Sequence, residues 1–234
     1  MKYVFCLLLL LILVLFQSGC CEKKKEVKKK KIKLTKTIKV NAKASYEIFV
    51  PDSIDLSRNY PLFFFLSPSG DPNIYSKAMV EVCKSENCIY ASSYNFKNET
   101  SHNDFIPAIK DSIKNILDNY PVHERLIYLA GFSGGGQGAY VVSHFIKNKF
   151  AGIIANNGVI HPNINDSESL KYLGLKKVAI LVGNEDKVVT PVDLRNDSAL
   201  LQRSGIIVKM FNFNGGHEVA PEDIYLEAVK WILK

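Results

Sequence analysis

A serine set between glycines, immediately after a buried apolar run, restricts the fold of this chain more than any other feature. Leu126, Ile127, Tyr128, Leu129 and Ala130 are continuously apolar, and Gly131-Phe132-Ser133-Gly134-Gly135 follows at once. The pattern is G-x-S-x-G. A chain that turns from a buried strand into a helix within so few residues crowds its own backbone, and glycines two positions either side of the serine relieve that crowding. The hydroxyl is then left projecting, with backbone N–H groups converging on whatever it meets. Ala139-Tyr140-Val141-Val142 continues as a helix. On its own the motif is also compatible with an ordinary glycine-rich turn, and its strand–turn–helix setting separates the two readings.

The rest of the chain supplies that setting. Lys33 to Val50 holds two polar/apolar alternating stretches, 37–41 and 45–50, separated by Ala42-Lys43-Ala44, which predicts an antiparallel hairpin at a sheet edge. Leu62-Phe63-Phe64-Phe65-Leu66 has no alternation, as expected of a strand covered on both faces. A weaker strand is expected around Ile89-Tyr90-Ala91. Ser101 and Asp104 have capping-box spacing, and Phe105, Ile109, Ile113, Ile116 and Leu117 recur at helical spacing until Pro121. Further apolar strands are expected at 152–155, 178–182 and 206–213. Thr190-Pro191 opens a helix that Gly205 stops, and a last helix runs over 221–233. Strands alternating with helices imply a mostly parallel sheet with helices on both faces, the α/β class. About 195 residues from Val40 onward suffice for one core.

The start of the chain has a different character. Met1-Lys2-Tyr3 precedes an unbroken apolar run over 4–16, then Gln17-Ser18-Gly19 and Cys20. The run is too short for a bilayer span, so residues 1–19 are expected to be an export signal. Gly19-Cys20 resembles the lipobox of bacterial lipoproteins, which implies lipidation of Cys20, a membrane-anchored lipoprotein and an extracytoplasmic, cell-envelope location. Gln17 stands where that pattern has an aliphatic residue, and plain secretion or an uncleaved anchor are the alternatives. Residues 22–39 carry ten lysines and two glutamates. Such a run stays extended, so 20–39 is expected to be a linker next to lipid head groups or a solvated spacer. Most of the net charge of +7 sits there, leaving the domain over 40–234 near neutral and arguing against nucleic acid as a partner. Of the five cysteines, Cys83 and Cys88 fall in the domain, either as a disulfide across the link between a helix and a strand or as two buried free thiols. No Cys/His spacing points to a metal.

In a parallel sheet, chemistry collects in loops beyond the carboxyl ends of the strands. An activated serine needs a base. Among five histidines His217, in Gly215-Gly216-His217-Glu218, follows a strong strand and precedes the closing helix. His161 is its competitor; His102, His123 and His144 read as cap, turn or packing residues. The base needs a carboxylate to fix its tautomer. Asp186, just past the strand ending at Gly183, occupies the expected place, with Glu185 and Asp193 as alternatives.

The order Ser133, Asp186, His217 is that of nucleophile, acid and base in α/β-hydrolases. From about Tyr46 to Trp231 the chain resembles the carboxylesterase and polyhydroxybutyrate-depolymerase-like esterases of that superfamily. The resemblance is carried by Tyr60 to Leu66, Gly131 to Gly135, Gly183 to Val188 and Gly215 to Glu218. It implies hydrolysis of carboxylic esters through an acyl-enzyme, on a small-molecule or polymeric substrate, with no metal or organic cofactor. It also implies an oxyanion hole made by the N–H of Gly134 and, from the loop after the early strand, that of Ser69. That loop departs from the group: Ser67-Pro68 stands where His-Gly is usual. The alternatives are a serine peptidase on the same fold and a surface-tethered binding protein that kept the scaffold without the activity.

Overall fold

A computed structural model describes residues 36–52, 54–55 and 57–234. The expected export signal over 1–19, Cys20 and nearly all of the lysine-rich arm lie outside the described residues. The described chain alternates strands and helices. In order they are β1 (Lys36–Lys39), β2 (Ser45–Phe49), β3 (Tyr60–Leu66), α1 (Lys77–Ser85), β4 (Ile89–Ser93), α2 (His102–Asn119), β5 (Val122–Phe132) and α3 (Gly134–Phe145). Then follow β6 (Gly152–Asn156), a 3-10 turn (Pro162–Ile164), α4 (Ser167–Lys171), β7 (Lys177–Gly183), α5 (Pro191–Arg203), β8 (Ile207–Phe213) and α6 (Glu222–Ile232).

One eight-stranded sheet has the order β1-β2-β4-β3-β5-β6-β7-β8. β1 pairs antiparallel with β2 and β2 antiparallel with β4; every later pairing is parallel. The hairpin at the edge is therefore as expected, its first strand running over Lys36–Lys39 where 37–41 was expected. Lys36 and Ile38 sit opposite Ile48 and Tyr46, so Lys36 and Lys39 of the arm belong to the sheet.

The continuous apolar run of β3 follows from its two covered faces. Leu62, Phe64 and Leu66 pack in one cluster with Phe105, Ile109, Ile113 and Ile116 of α2, Tyr140 of α3 and Leu194 of α5. Phe63 and Phe65 point the other way, joining Met79 and Cys83 of α1 and Tyr225 and Val229 of α6. β4 is also buried throughout, because β2 and β3 flank it.

One local expectation changes, and one pair of alternatives is decided. Ser101 caps α2 by accepting from the Asn103 N–H at 3.3 Å, so no reciprocal box with Asp104 forms. The full box forms at α5 instead: the Thr190 hydroxyl accepts from Asp193 N–H, and the Asp193 carboxylate accepts from Thr190 N–H. Cys83 and Cys88 are buried free thiols, not a bridge. The Cys88 N–H donates to the Cys83 carbonyl at 2.8 Å, and the Cys88 thiol points at the Glu86 carbonyl, 3.5 Å away. Burial pushes the Cys88 thiol up to about 12 and also raises that of Cys83 well above the ordinary thiol range, which keeps both protonated and unreactive.

Candidate active site

Ser133 joins β5 to α3 with φ +52° and ψ −124°, a conformation strained for a side-chain-bearing residue. The surrounding backbone enforces it. A Cβ on Gly131 would lie 2.3 Å from the Gly135 carbonyl carbon, and one on Gly135 would lie 1.9 Å from the Leu66 oxygen. No side chain larger than hydrogen fits at either position. The Ser133 N–H donates to the Asn156 carbonyl at 2.8 Å, locking the turn to the end of β6.

The sequence-predicted partners converge on this serine from two other strand ends. His217, in the loop after β8, places Nε2 2.8 Å from Ser133 Oγ and Nδ1 2.7 Å from Asp186 Oδ2. Asp186 follows β7, and its side chain is fully buried, whereas that of His217 is 22% exposed. The other carboxylate oxygen, Oδ1, accepts from the N–H groups of Val188 and Val189 at 2.8 and 2.9 Å. A buried carboxylate with each oxygen occupied is held in one orientation. Phe132 packs its ring 5.2 Å from the His217 ring, and Tyr75 packs on Phe132 in turn. The alternatives fall away. Glu185 is exposed, Asp193 serves the α5 cap, and His161 caps the 3-10 turn by accepting from Asn163 N–H. His123 Nδ1 accepts from Arg125 N–H within β5, and His102 stacks on Phe145. No group of three or more His, Cys, Asp or Glu is arranged to hold a metal ion among the described residues.

Two residues missed from sequence tie the three loops together. Asn156 ends β6, Asn157 follows it, and both are completely buried. The Asn157 oxygen accepts from Gly183 N–H at 2.9 Å, and its NH2 donates to the Gly216 and Glu218 carbonyls at 3.1 and 3.3 Å. The Asn156 oxygen accepts from Ala220 N–H and the Tyr225 hydroxyl. The loop carrying His217 is therefore lashed to the strand that leads to Asp186. Their only sequence signal is a pair of asparagines directly after the apolar run of β6, ahead of Gly158.

The two expected oxyanion donors lie in adjacent segments. Gly134 is the first residue of α3 and has no intrahelical acceptor for its N–H. The 67–69 loop packs on the first turn of α3, with the Leu66 oxygen and Pro68 Cδ both facing Gly135. Ser67 and Ser69 exchange a hydroxyl hydrogen bond at 2.9 Å. The Ser69 hydroxyl accepts from Asp71 N–H, and Gly70 N–H donates to the Ser67 carbonyl.

Beside Gly134 opens a cavity of about 570 Å³ that runs along α3. Asn98 lines it too, its side-chain oxygen pressed against Gly134 so closely that a Cβ there would clash with it.

No protein-family model and no curated protein matches the sequence. Solved structures do. A thermostable esterase matches with a TM-score of 0.64 and 22% identity over 86% of this chain; the match spans 62% of that esterase's length. Est1E from Butyrivibrio proteoclasticus matches at TM-score 0.68 and 12% identity, covering 85% of this chain and 98% of that one. A fluorophosphonate-binding serine hydrolase of Staphylococcus aureus matches at 0.65 and 13%, covering 86% and 99%. At such identities the likeness speaks for architecture, and with the strand order above it settles that the chain has the α/β-hydrolase fold.

Proposed function

We propose that this chain is a serine esterase that hydrolyses carboxylic esters through an acyl-enzyme. The observation that carries the reading is the unbroken relay from the Ser133 hydroxyl through His217 to a buried, doubly anchored Asp186. Asp186 holds Nδ1 of His217 protonated, which leaves the Nε2 lone pair facing Ser133 Oγ. As Oγ bonds to the ester carbon, its proton passes to Nε2 and the carbonyl electrons move onto oxygen. The resulting oxyanion is held by the N–H groups of Gly134 and Ser69. Collapse re-forms the carbonyl and breaks the bond to the leaving oxygen, which takes the Nε2 proton and departs as the alcohol. Water then adds to the acyl carbon while His217 takes its proton. The bond to Oγ breaks, the proton returns to Ser133, and the acid leaves.

An intact relay with a strained nucleophile turn is more than a binding scaffold requires, which favours the esterase over the binding reading. The apolar run and Gly19-Cys20 support action outside the cytoplasm, tethered through Cys20. The test is turnover of 4-nitrophenyl acetate and labelling by a fluorophosphonate probe, with Ser133→Ala alongside. Turnover and labelling that both vanish in the variant are expected. A wild-type chain that neither turns over nor labels would overturn the reading.

A further inference from the structure

The segment that follows β4 meets both of the backbone stretches expected to hold an oxyanion. The Asn98 N–H donates to the Pro68 carbonyl at 3.0 Å, one residue before Ser69. A Cβ on Gly70 would lie 3.1 Å from Lys97 Cβ, and the buried Phe96 ring presses on Gly138 of α3. Residues 96–98 are therefore wedged between the 67–70 loop and the first turns of α3. That fixes where the backbone of Asn98 stands.

The Asn98 side chain lies at the Gly134 end of the wedge. The three heavy atoms nearest to a Cβ on Gly134 would all be its own: Oδ1, then Cγ at 2.8 Å and Nδ2 at 3.1 Å. A Cβ stands two bonds from its own backbone nitrogen, so the amide sits beside the N–H that Gly134 leaves unpaired. Among the described residues no hydrogen bond holds either end of this amide. Asn98 is exposed and lines the cavity beside Gly134, so a substrate reaches it. With nothing fixing the carbonyl side toward Gly134, a half-turn about the last side-chain bond presents the NH2 instead.

The neighbouring loop gives such a donor a purpose. Pro68 takes one N–H out of the stretch that flanks the oxyanion. The segment bonded to the Pro68 carbonyl brings an unpaired NH2 to the same place. Asparagine side chains are effective oxyanion donors when the backbone that carries them is already in position.

On these grounds, and resting on the esterase reading above, we infer that Asn98 is a further catalytic residue, whose Nδ2 donates to the oxyanion beside the N–H groups of Gly134 and Ser69. The bond strengthens as Ser133 Oγ joins the acyl carbon and the carbonyl electrons move onto oxygen. It weakens again when the carbonyl re-forms. The ester carbonyl of the bound substrate carries little charge, so this donor acts on kcat far more than on KM.

The test is 4-nitrophenyl acetate kinetics on the full chain, with melting temperatures to check that each variant folds. Asn98→Ala should lower kcat about a hundredfold and leave KM within about threefold. Asn98→Asp keeps the shape but offers only acceptors to the oxyanion, so its kcat should fall at least as far as that of Asn98→Ala. Gly134→Ala keeps the backbone N–H while its methyl displaces the Asn98 amide. It should lose about the same hundredfold, and adding Asn98→Ala to it should cost less than about threefold more, since both changes remove one interaction. Affinity for a trifluoromethyl ketone, whose adduct with Ser133 bears the same oxyanion, should fall in step with kcat/KM. An Asn98→Asp variant with wild-type kcat, an Asn98→Ala variant that changes KM alone, or losses at 98 and 134 that multiply would overturn the assignment and leave the esterase standing. Absence of ester turnover in the wild type would instead remove the esterase reading, and this inference with it.

Discussion

Replacing Asp186 by asparagine isolates the tautomer as the quantity that Asp186 controls. In the wild type Oδ1 accepts from Val188 and Val189 N–H while Oδ2 faces His217 Nδ1 at 2.7 Å. An asparagine here has no freedom to choose. Its oxygen must stay with the two valine N–H groups, because an NH2 turned toward them would oppose two buried donors. The NH2 therefore faces Nδ1, which becomes the acceptor, and the ring proton moves to Nε2. A protonated Nε2 cannot take the Ser133 proton. The expected loss is about four orders of magnitude in kcat, or about 5.5 kcal/mol of barrier at 1.36 kcal/mol per tenfold. Stability should hardly change, since both valine N–H groups keep their acceptor. Asp186→Ala removes that acceptor as well and should cost about 1–3 kcal/mol for each N–H left unpaired. The assays are 4-nitrophenyl acetate kinetics and thermal melting on both variants. An Asp186→Asn variant within tenfold of wild-type kcat would refute the argument, because the relay would then not depend on which nitrogen carries the proton.

Two more predictions concern stability. Ser133 holds φ +52°, a strain worth about 1–3 kcal/mol, against which a glycine loses about 0.5–1 kcal/mol of backbone entropy; both Ser133→Gly and Ser133→Ala should be inactive, with the glycine variant more stable by about 1 kcal/mol. Equal or reversed melting temperatures would show that the turn is unstrained. Asp197 is pushed up to about 6, chiefly by burial and secondarily by Asp193, despite accepting from Ile160 N–H at 2.7 Å. Between about pH 4 and 6 the folded chain then keeps a proton that the unfolded chain has lost, so this residue makes stability fall as pH rises through that window. Asp197→Asn keeps the acceptor for Ile160 and should melt higher than wild type at pH 7 with the gap closing by pH 4; a gap that ignores pH would sink the assignment.

Much of this was legible in the sequence because it is written locally. Ser133 is announced by the glycines its own turn requires, β3 by an apolar run that only a doubly covered strand can carry, and Asp186 and His217 by their positions just past strands. What was not legible depends on partners far along the chain. Asn156 and Asn157 look like ordinary loop residues until their bonds to Gly183, Gly216 and Ala220 are seen. Ser101 and Asp104 have the spacing of a capping box that does not close, whereas Thr190 and Asp193 close one, and spacing does not distinguish them. The groove along α3 is also invisible in sequence, since its walls come from the loops after β4 and β6, the start of α2 and one face of α3 along its whole length.

The departure at residues 67–69 becomes intelligible once the elbow is seen as contact between backbones. A Cβ at Gly135 would strike the Leu66 oxygen, and one at Gly158 would lie 2.7 Å from the Ser133 oxygen and 2.8 Å from Gly136 Cα. The Ser133 turn is thus held by main chain against main chain, and the proposed oxyanion donors are N–H groups as well. Such a site places few demands on the side chains at positions 67 and 68. Proline at 68 removes a donor, but not the one at Ser69. The Ser67–Ser69 hydroxyl pair, the Gly70 N–H to Ser67 carbonyl bond and the Asn98 N–H to Pro68 carbonyl bond at 3.0 Å fix the loop in place of the usual residues. The different sequence of this loop therefore changes how the donor is supported, and it leaves the donor itself in the chain.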